Sequence, residues 1–290
     1  MAPSGSMSGK VVLITGATQG IGKESAAALA SMGASVVMVG RDRERSEAAL
    51  ADVKARSRSD SVELLLADLS SMAEVRRLAA DFKARHDRLH VLLNNAGAIN
   101  ATRKQSPDGL EMTFAVNHLA YFLLTDLLLP VLKASAPSRI VNVASDAHRG
   151  LSLDFADLQT EKRYFSFAAY GRSKLANILF TYELARRLEG TGVTANALHP
   201  GVIASGFGKN DKGWFALGAK LMAPFLITPE KGARTSVYLA SSPEVEGVNG
   251  QYFKRSKPIK SSRQSYDEAA QKKLWEVTER IIAGSTAAAA

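Results

Sequence analysis

The stretch Val11-Val12-Leu13-Ile14-Thr15-Gly16-Ala17-Thr18-Gln19-Gly20-Ile21-Gly22 passes from a β-branched apolar run through a glycine-spaced turn into a helical pattern. Val11 to Thr15 reads as a strand and Ile21 to Met32 as a helix. Glycine at 16, 20 and 22 lets backbone amides approach a pyrophosphate at the positive end of that helix. The spacing differs from GxGxxG, so the turn is judged by its place between strand and helix.

The same alternation continues downstream. Strands are expected at Ser35 to Val39, Val62 to Leu66, Val91 to Asn94, Arg139 to Ala144, Val193 to Leu198 and Gly250 to Phe253. Between them lie a charged helix from Arg43 and a helix opened by the capping box Ser71-Met72-Ala73-Glu74. A long helix from Pro107 through Leu132, another from Ala168 to Leu188 and one begun by Thr228-Pro229-Glu230 follow. Ser265-Tyr266-Asp267-Glu268 reads as a further capping box, before an amphipathic helix through Leu274, Trp275, Val277 and Ile281. The pattern predicts an α/β fold: a single doubly wound Rossmann domain whose seven-stranded, mainly parallel sheet carries helices on both faces. No composition break or internal repeat divides residues 9–282. Residues 1–8, rich in Ser and Gly, and the alanine-ended tail 283–290 read as flexible.

Composition narrows the function. Of the 290 residues, 46% are hydrophobic, enough for a substantial core. The net charge is +9, but the basic residues are scattered through Lys54-Ala55-Arg56, Arg76-Arg77, Arg186-Arg187 and Lys254 to Lys260. They form no aromatic-interleaved stripe, so no nucleic-acid partner is expected. The absence of cysteine removes disulfides, zinc-thiolate sites and a cysteine nucleophile, and fits a cytoplasmic location. Leu119 to Leu132 is too short to span a bilayer and carries Asp126, so it reads as a buried helix and no membrane span is expected. His86, His90, His118 and His148 form no HExxH or ligand-type cluster, and no metal is expected.

In Tyr170-Gly171-Arg172-Ser173-Lys174 a phenol and an ammonium stand four residues apart, which a helix places on one face. Alone, that pair is common. In one order before it come the turn Thr15 to Gly22, Asn94-Asn95-Ala96-Gly97, Asn117 and Ser145. Together these resemble the short-chain dehydrogenase/reductase family, over roughly Gly9 to Ile282.

The resemblance implies an oxidoreductase with a nicotinamide cofactor. It gives Tyr170 the role of general acid in reduction and general base in oxidation. Lys174 would stabilise the phenolate and contact the cofactor ribose, Ser145 would hydrogen-bond the substrate oxygen, and Asn117 would hold a water in a proton relay behind Lys174. Implied cofactor contacts are Gly16, Thr18, Gln19, Gly20, Ile21 and Gly22 in the turn, with Asp68 and Leu69 at the adenine. Asn94, Ala96 and Gly97 would form the rear wall, Asn94 mainly as a structural tie. Pro200, Gly201, Val202, Ile203 and Ser205 would lie near the nicotinamide, with Ser205 where the family has threonine. After the second strand many NAD enzymes place an acidic residue; here Gly40 stands there and Arg41 follows, which suits a 2′-phosphate and points to NADP(H).

The run Tyr170 to Leu188, His199-Pro200-Gly201 and the long Ser145 to Tyr170 insertion are similar to the retinol-dehydrogenase-like branch. That similarity implies a carbonyl reductase or alcohol dehydrogenase for a hydrophobic carbonyl or alcohol: a retinoid, steroid, lipid aldehyde or xenobiotic ketone. Residues 206–227, with Phe207, Trp214 and Phe215, are expected to form a substrate lid. A homo-oligomer is compatible with all of this. The competing reading is a non-catalytic NADP(H)-sensing partner protein on the same scaffold. The intact Ser145, Tyr170 and Lys174 argue against it.

Overall fold

The computed structural model describes residues 5–202 and 227–287. Seven strands pair in parallel: β1 (Val11–Thr15), β2 (Ser35–Gly40), β3 (Val62–Leu66), β4 (Val91–Asn94), β5 (Ser138–Val143), β6 (Val193–His199) and β7 (Tyr252–Lys254). Their order is β3-β2-β1-β4-β5-β6-β7. The chain reverses its direction of travel across the sheet between β1 and β4, and a crevice at such a switch point, beyond the carboxyl ends of the strands, is where open α/β sheets bind ligands.

An eighth strand, β8 (Lys257–Ile259), returns antiparallel along β7. It was not anticipated from the sequence because its two-residue turn is built from Arg255 and Ser256, at φ 52° and 58°, instead of glycine or asparagine.

The helices are α1 (Gly20–Ser31), α2 (Arg43–Ser57), α3 (Met72–Arg85), α4 (Met112–Ala134), α5 (Ser166–Arg187), α6 (Pro229–Ser241) and α7 (Glu268–Ala287). Alternation along each strand divides the core between the two faces. Leu13, Val37 and Leu92 pack with α3, α4, α5 and α7. Val12, Ile14, Val36 and Met38 pack with α1, α2 and α6 on the other face. Met7 joins that second cluster, its N–H bonded to Met32 O at 2.9 Å.

The capping of two helices differs from the sequence expectation. α4 begins at Met112, not Pro107, because Ser106 to Gly109 makes a turn and Glu111 then caps the helix, accepting from Thr113 N–H at 2.8 Å and Phe114 N–H at 2.7 Å. α7 is capped by Asp267, which accepts from Ala270 N–H at 3.1 Å, while Ser265 is buried against Ser261 Oγ at 2.6 Å. Ser71 and Thr228 do cap α3 and α6.

α4 is long and apolar enough to cross a membrane by length and composition, and 67% of that stretch is buried within the protein. Tyr121, Leu123, Leu124 and Leu128 lie in the core. A π turn at Ala115–Leu119 interrupts it around Asn117, a feature frequent at functional sites.

Candidate active site

The turn after β1 is shaped by backbone and by missing side chains. Gly16 sits at φ +64°, and a Cβ there would stand 2.8 Å from Ala96 Cα. A Cβ on Gly22 would stand 2.3 Å from Gly16 O. Thr15 Oγ1 accepts from Asn95 N–H at 2.9 Å and Ala96 N–H at 3.0 Å, and Asn95 Nδ2 donates to Thr15 O at 2.8 Å and Gly16 O at 3.1 Å. The end of β4 is thereby fastened beneath the turn. Gln19, the N-cap of α1, makes no side-chain cap bond, and the first turn carries no acidic residue. Its amides thus suit an external anion such as a dinucleotide pyrophosphate, with Thr18, Gly20 and Ile21 beside them.

At the end of β2, Gly40 is walled in: a Cβ would stand 2.2 Å from Ser46 Oγ and 2.4 Å from Thr18 Cγ2. Arg41 is exposed and lies 3.7 Å from the Asp68 carboxylate. Asp68 also accepts from Ser70 N–H at 3.0 Å and Ser70 Oγ at 2.8 Å, and Leu69 is buried. Asn94 is fully buried and faces inward, its Nδ2 donating to Asn142 Oδ1 at 2.9 Å and Thr125 Oγ1 at 3.1 Å. It ties β4 to β5 and α4.

α5 brings Tyr170 and Lys174 to the same edge of the sheet. Gly171 permits this, since a Cβ there would stand 2.4 Å from Ala147 O in the turn after β5. The Ser145 hydroxyl hydrogen-bonds the Tyr170 phenol; burial raises that phenol and the serine partly offsets it, leaving it at about 12. Lys174 Nζ donates to Val143 O at 2.9 Å and lies 5.7 Å and 5.6 Å from the Tyr170 and Tyr121 ring centres. Burial lowers its pKa to about 7, so an anion or phenolate nearby would restore its charge.

Asn117 Oδ1 accepts from Ala98 N–H at 2.7 Å, and its Nδ2 donates to Ala98 O and Ser173 Oγ, both at 2.9 Å. Its side chain therefore holds the loop after β4 to α5. Gly97 lies between it and Lys174. Pro200 and Gly201 follow β6; Gly201, at φ +103°, leaves room for Ile227, whose N–H donates to Val202 O at 2.9 Å. Ile203, Ser205, Phe207, Trp214 and Phe215 lie outside the described residues, as does the expected lid at 206–227 except for Ile227.

Ser145 thus meets Tyr170, Lys174 lies beside the Tyr170 ring, and Lys174 and Asn117 flank Gly97. Thr15, Ser173 and Tyr121 are site builders that the sequence motifs did not single out. Thr15 and Ser173 sit inside the quoted motifs; Tyr121 lies one helical turn beyond Asn117, and its hydroxyl donates to Ala96 O at 2.7 Å. The histidines serve the fold: His90 Nδ1 accepts from Val11 N–H at 3.0 Å, and His118 Nε2 meets Thr278 Oγ1 at 3.0 Å.

Residues 10–214 match the family model described as short chain dehydrogenase. Human retinol dehydrogenase 14 is 45% identical over 297 residues, covering 96% of this chain and 88% of that protein. An uncharacterized protein from Mycobacterium Paratuberculosis has a similar solved structure, with TM-score 0.77 and 32% identity over 97% of this chain and 95% of that one. The Pseudomonas aeruginosa RhlG/NADP active-site complex is also similar, with TM-score 0.71 and 27% identity over 92% of this chain and 100% of that one. With the glycine turn and the Ser145, Tyr170 and Lys174 constellation in place, the chain belongs to the short-chain dehydrogenase family of oxidoreductases, in its retinol-dehydrogenase-like branch.

Proposed function

We propose that this oxidoreductase is an NADP(H)-dependent carbonyl reductase or alcohol dehydrogenase acting on a hydrophobic carbonyl or alcohol in the cytoplasm. The observation that carries the reading is the meeting of the Tyr170 phenol, the Ser145 hydroxyl and the Lys174 ammonium at the carboxyl edge of β4 and β5. The bound cofactor supplies or accepts a hydride. Tyr170 gives its proton to the substrate oxygen in reduction and takes it back in oxidation. Ser145 donates a hydrogen bond to the same oxygen, and positive Lys174 stabilises the phenolate left behind.

Preference for the 2′-phosphorylated cofactor is supported by Gly40 and Arg41. An acidic side chain at position 40 would collide with Thr18 and Ser46, while the Arg41 guanidinium is exposed beside it. One structural relative is an NADP complex. The name of the curated relative puts retinoids first among substrates to try.

Calorimetric titration with NADPH and NADH, followed by NADPH-consumption assays on retinoids, steroids, apolar aldehydes and ketones, tests both parts. Equal affinity for the two cofactors overturns the NADP(H) preference. NADPH bound without turnover of any carbonyl overturns the enzymatic reading in favour of a cofactor sensor.

A further inference from the structure

The turn that presents Ser145 is tied down far more heavily than a three-residue turn requires. Asp146–His148 is a single 3-10 turn directly after β5. Within it, Ser145 Oγ accepts from Ala147 N–H at 3.1 Å. Three of its other polar groups reach distant elements: the Asp146 N–H, the Asp146 carboxylate and His148 Nε2. Asp146 N–H donates to His199 Nδ1 at 3.2 Å, so His199 is neutral with its proton on Nε2. His148 Nδ1 lies 2.6 Å from Ser145 O, and His148 Nε2 accepts from Ser262 N–H at 2.9 Å, which fixes the opposite tautomer there.

The Asp146 carboxylate is the centre of the network. Oδ2 accepts from Lys254 Nζ at 2.7 Å, and Oδ1 accepts from Tyr252 Oη at 3.0 Å and Arg149 Nε at 3.3 Å. Sheet register explains this convergence. Tyr252 and Lys254 are two apart on β7 and share a face, and Lys254 is paired directly with His199 of β6. The sheet thus delivers a phenol, an ammonium and an imidazole to one carboxylate. Burial opposes its ionisation, but the hydrogen bonds from Lys254 and Tyr252 and the Lys254 charge bring its pKa down to about 2. Two cations beside it also offset its repulsion of an alkoxide forming near Ser145.

We propose that Asp146 is a positioning residue for Ser145, fastening the turn to β6 and β7 so that the Ala147 N–H stays on one lone pair of Ser145 Oγ and the hydroxyl proton is left to face the Tyr170 phenol and the substrate oxygen. The inference rests on the reading of Ser145 as the substrate-oxygen donor. A hydrogen-bond donor misplaced by about 1 Å costs on the order of 10²-fold in rate, so loosening this turn acts on turnover more than on binding.

The test is a double-mutant cycle with NADPH and a carbonyl that the wild type reduces. Asp146→Ala is expected to lower kcat by about 10- to 100-fold, with KM and the NADPH Kd within about threefold of wild type. Asp146→Asn, which can still accept from Tyr252, should recover most of the loss. In the Ser145→Ala background, Asp146→Ala should add almost nothing, because the group it positions is gone. If Asp146→Ala does not fold, Lys254→Met replaces it in the same cycle, with an expected loss of at least about threefold. Near-native kcat in the folded single variant, or a full additive loss in the Ser145→Ala background, overturns the positioning role alone. Unchanged turnover in Ser145→Ala itself overturns the reading of Ser145, and the inference with it.

Discussion

The turn after β1 and the turn after β5 lie on the same edge of one sheet, yet they are held by different means. The first is shaped by what is absent: Gly16 and Gly22, and Gly40 at the adjoining end of β2, have no side chain because a Cβ would strike backbone or a neighbour within 3 Å. Its fasteners are short, Thr15 and Asn95, bonded to backbone. The second is shaped by what is present, with Ser145 framed by Asp146, His148, His199, Tyr252 and Lys254 drawn from three separate stretches of chain. A backbone cradle recognises a group common to all dinucleotides, whereas proton transfer needs individual side chains held at fixed directions. Damage to the first should appear in cofactor affinity, and damage to the second in turnover.

The sharpest separation is expected from Tyr170→Phe. Removing the hydroxyl keeps the ring against Lys174 but deletes the proton donor, so single-turnover reduction should fall by about 10²–10⁴-fold or more while the NADPH Kd holds. Near-native hydride transfer by this variant would break the comparison at its strongest point. Next comes Gly22→Ala, which sets a methyl against Gly16 O and the Asn95 amide; NADPH binding should weaken by about 10- to 100-fold, with the surviving holoenzyme turning over at close to the wild-type kcat. A collapse in kcat at saturating NADPH would show that the two turns are not separable.

Arg41→Ala probes the rim of the cradle. Its exposed side chain should contribute about tenfold to NADPH affinity and nothing to NADH, read by calorimetry. Equal losses would make Arg41 a structural partner of Asp68.

The smallest effect is a proton. Lys174 has a folded pKa of about 7 against an ordinary 10.5, so between those values the unfolded chain binds more protons and folding stability rises with pH. NADP(H) at that site favours the charged ammonium, so binding near pH 8 should take up a fraction of a proton, detected by calorimetry in buffers of differing ionisation heat. Lys174→Met should abolish the uptake; uptake that survives belongs to another group.

Legibility follows the same division. The glycine turn was readable because steric exclusion leaves a direct mark, a run of glycines between strand and helix. Tyr170 and Lys174 were readable because helical periodicity fixes their common face. The start of α4 was misjudged at Pro107, since proline suits a first helical turn as well as the reverse turn it occupies, and only the Glu111 carboxylate on two amides decides between them. β8 escaped for want of a glycine at its turn.

Sequence by itself determined the doubly wound α/β class, the glycine turn between strand and helix and the common face of Tyr170 and Lys174, because each depends on residues close together in the chain. Only the tertiary structure decided that Asn117 binds Ala98 to Ser173 and that Asp146 stands between β6 and β7. Those contacts join residues up to 108 positions apart. Their partners are chosen by strand order and register, which local residue patterns do not encode.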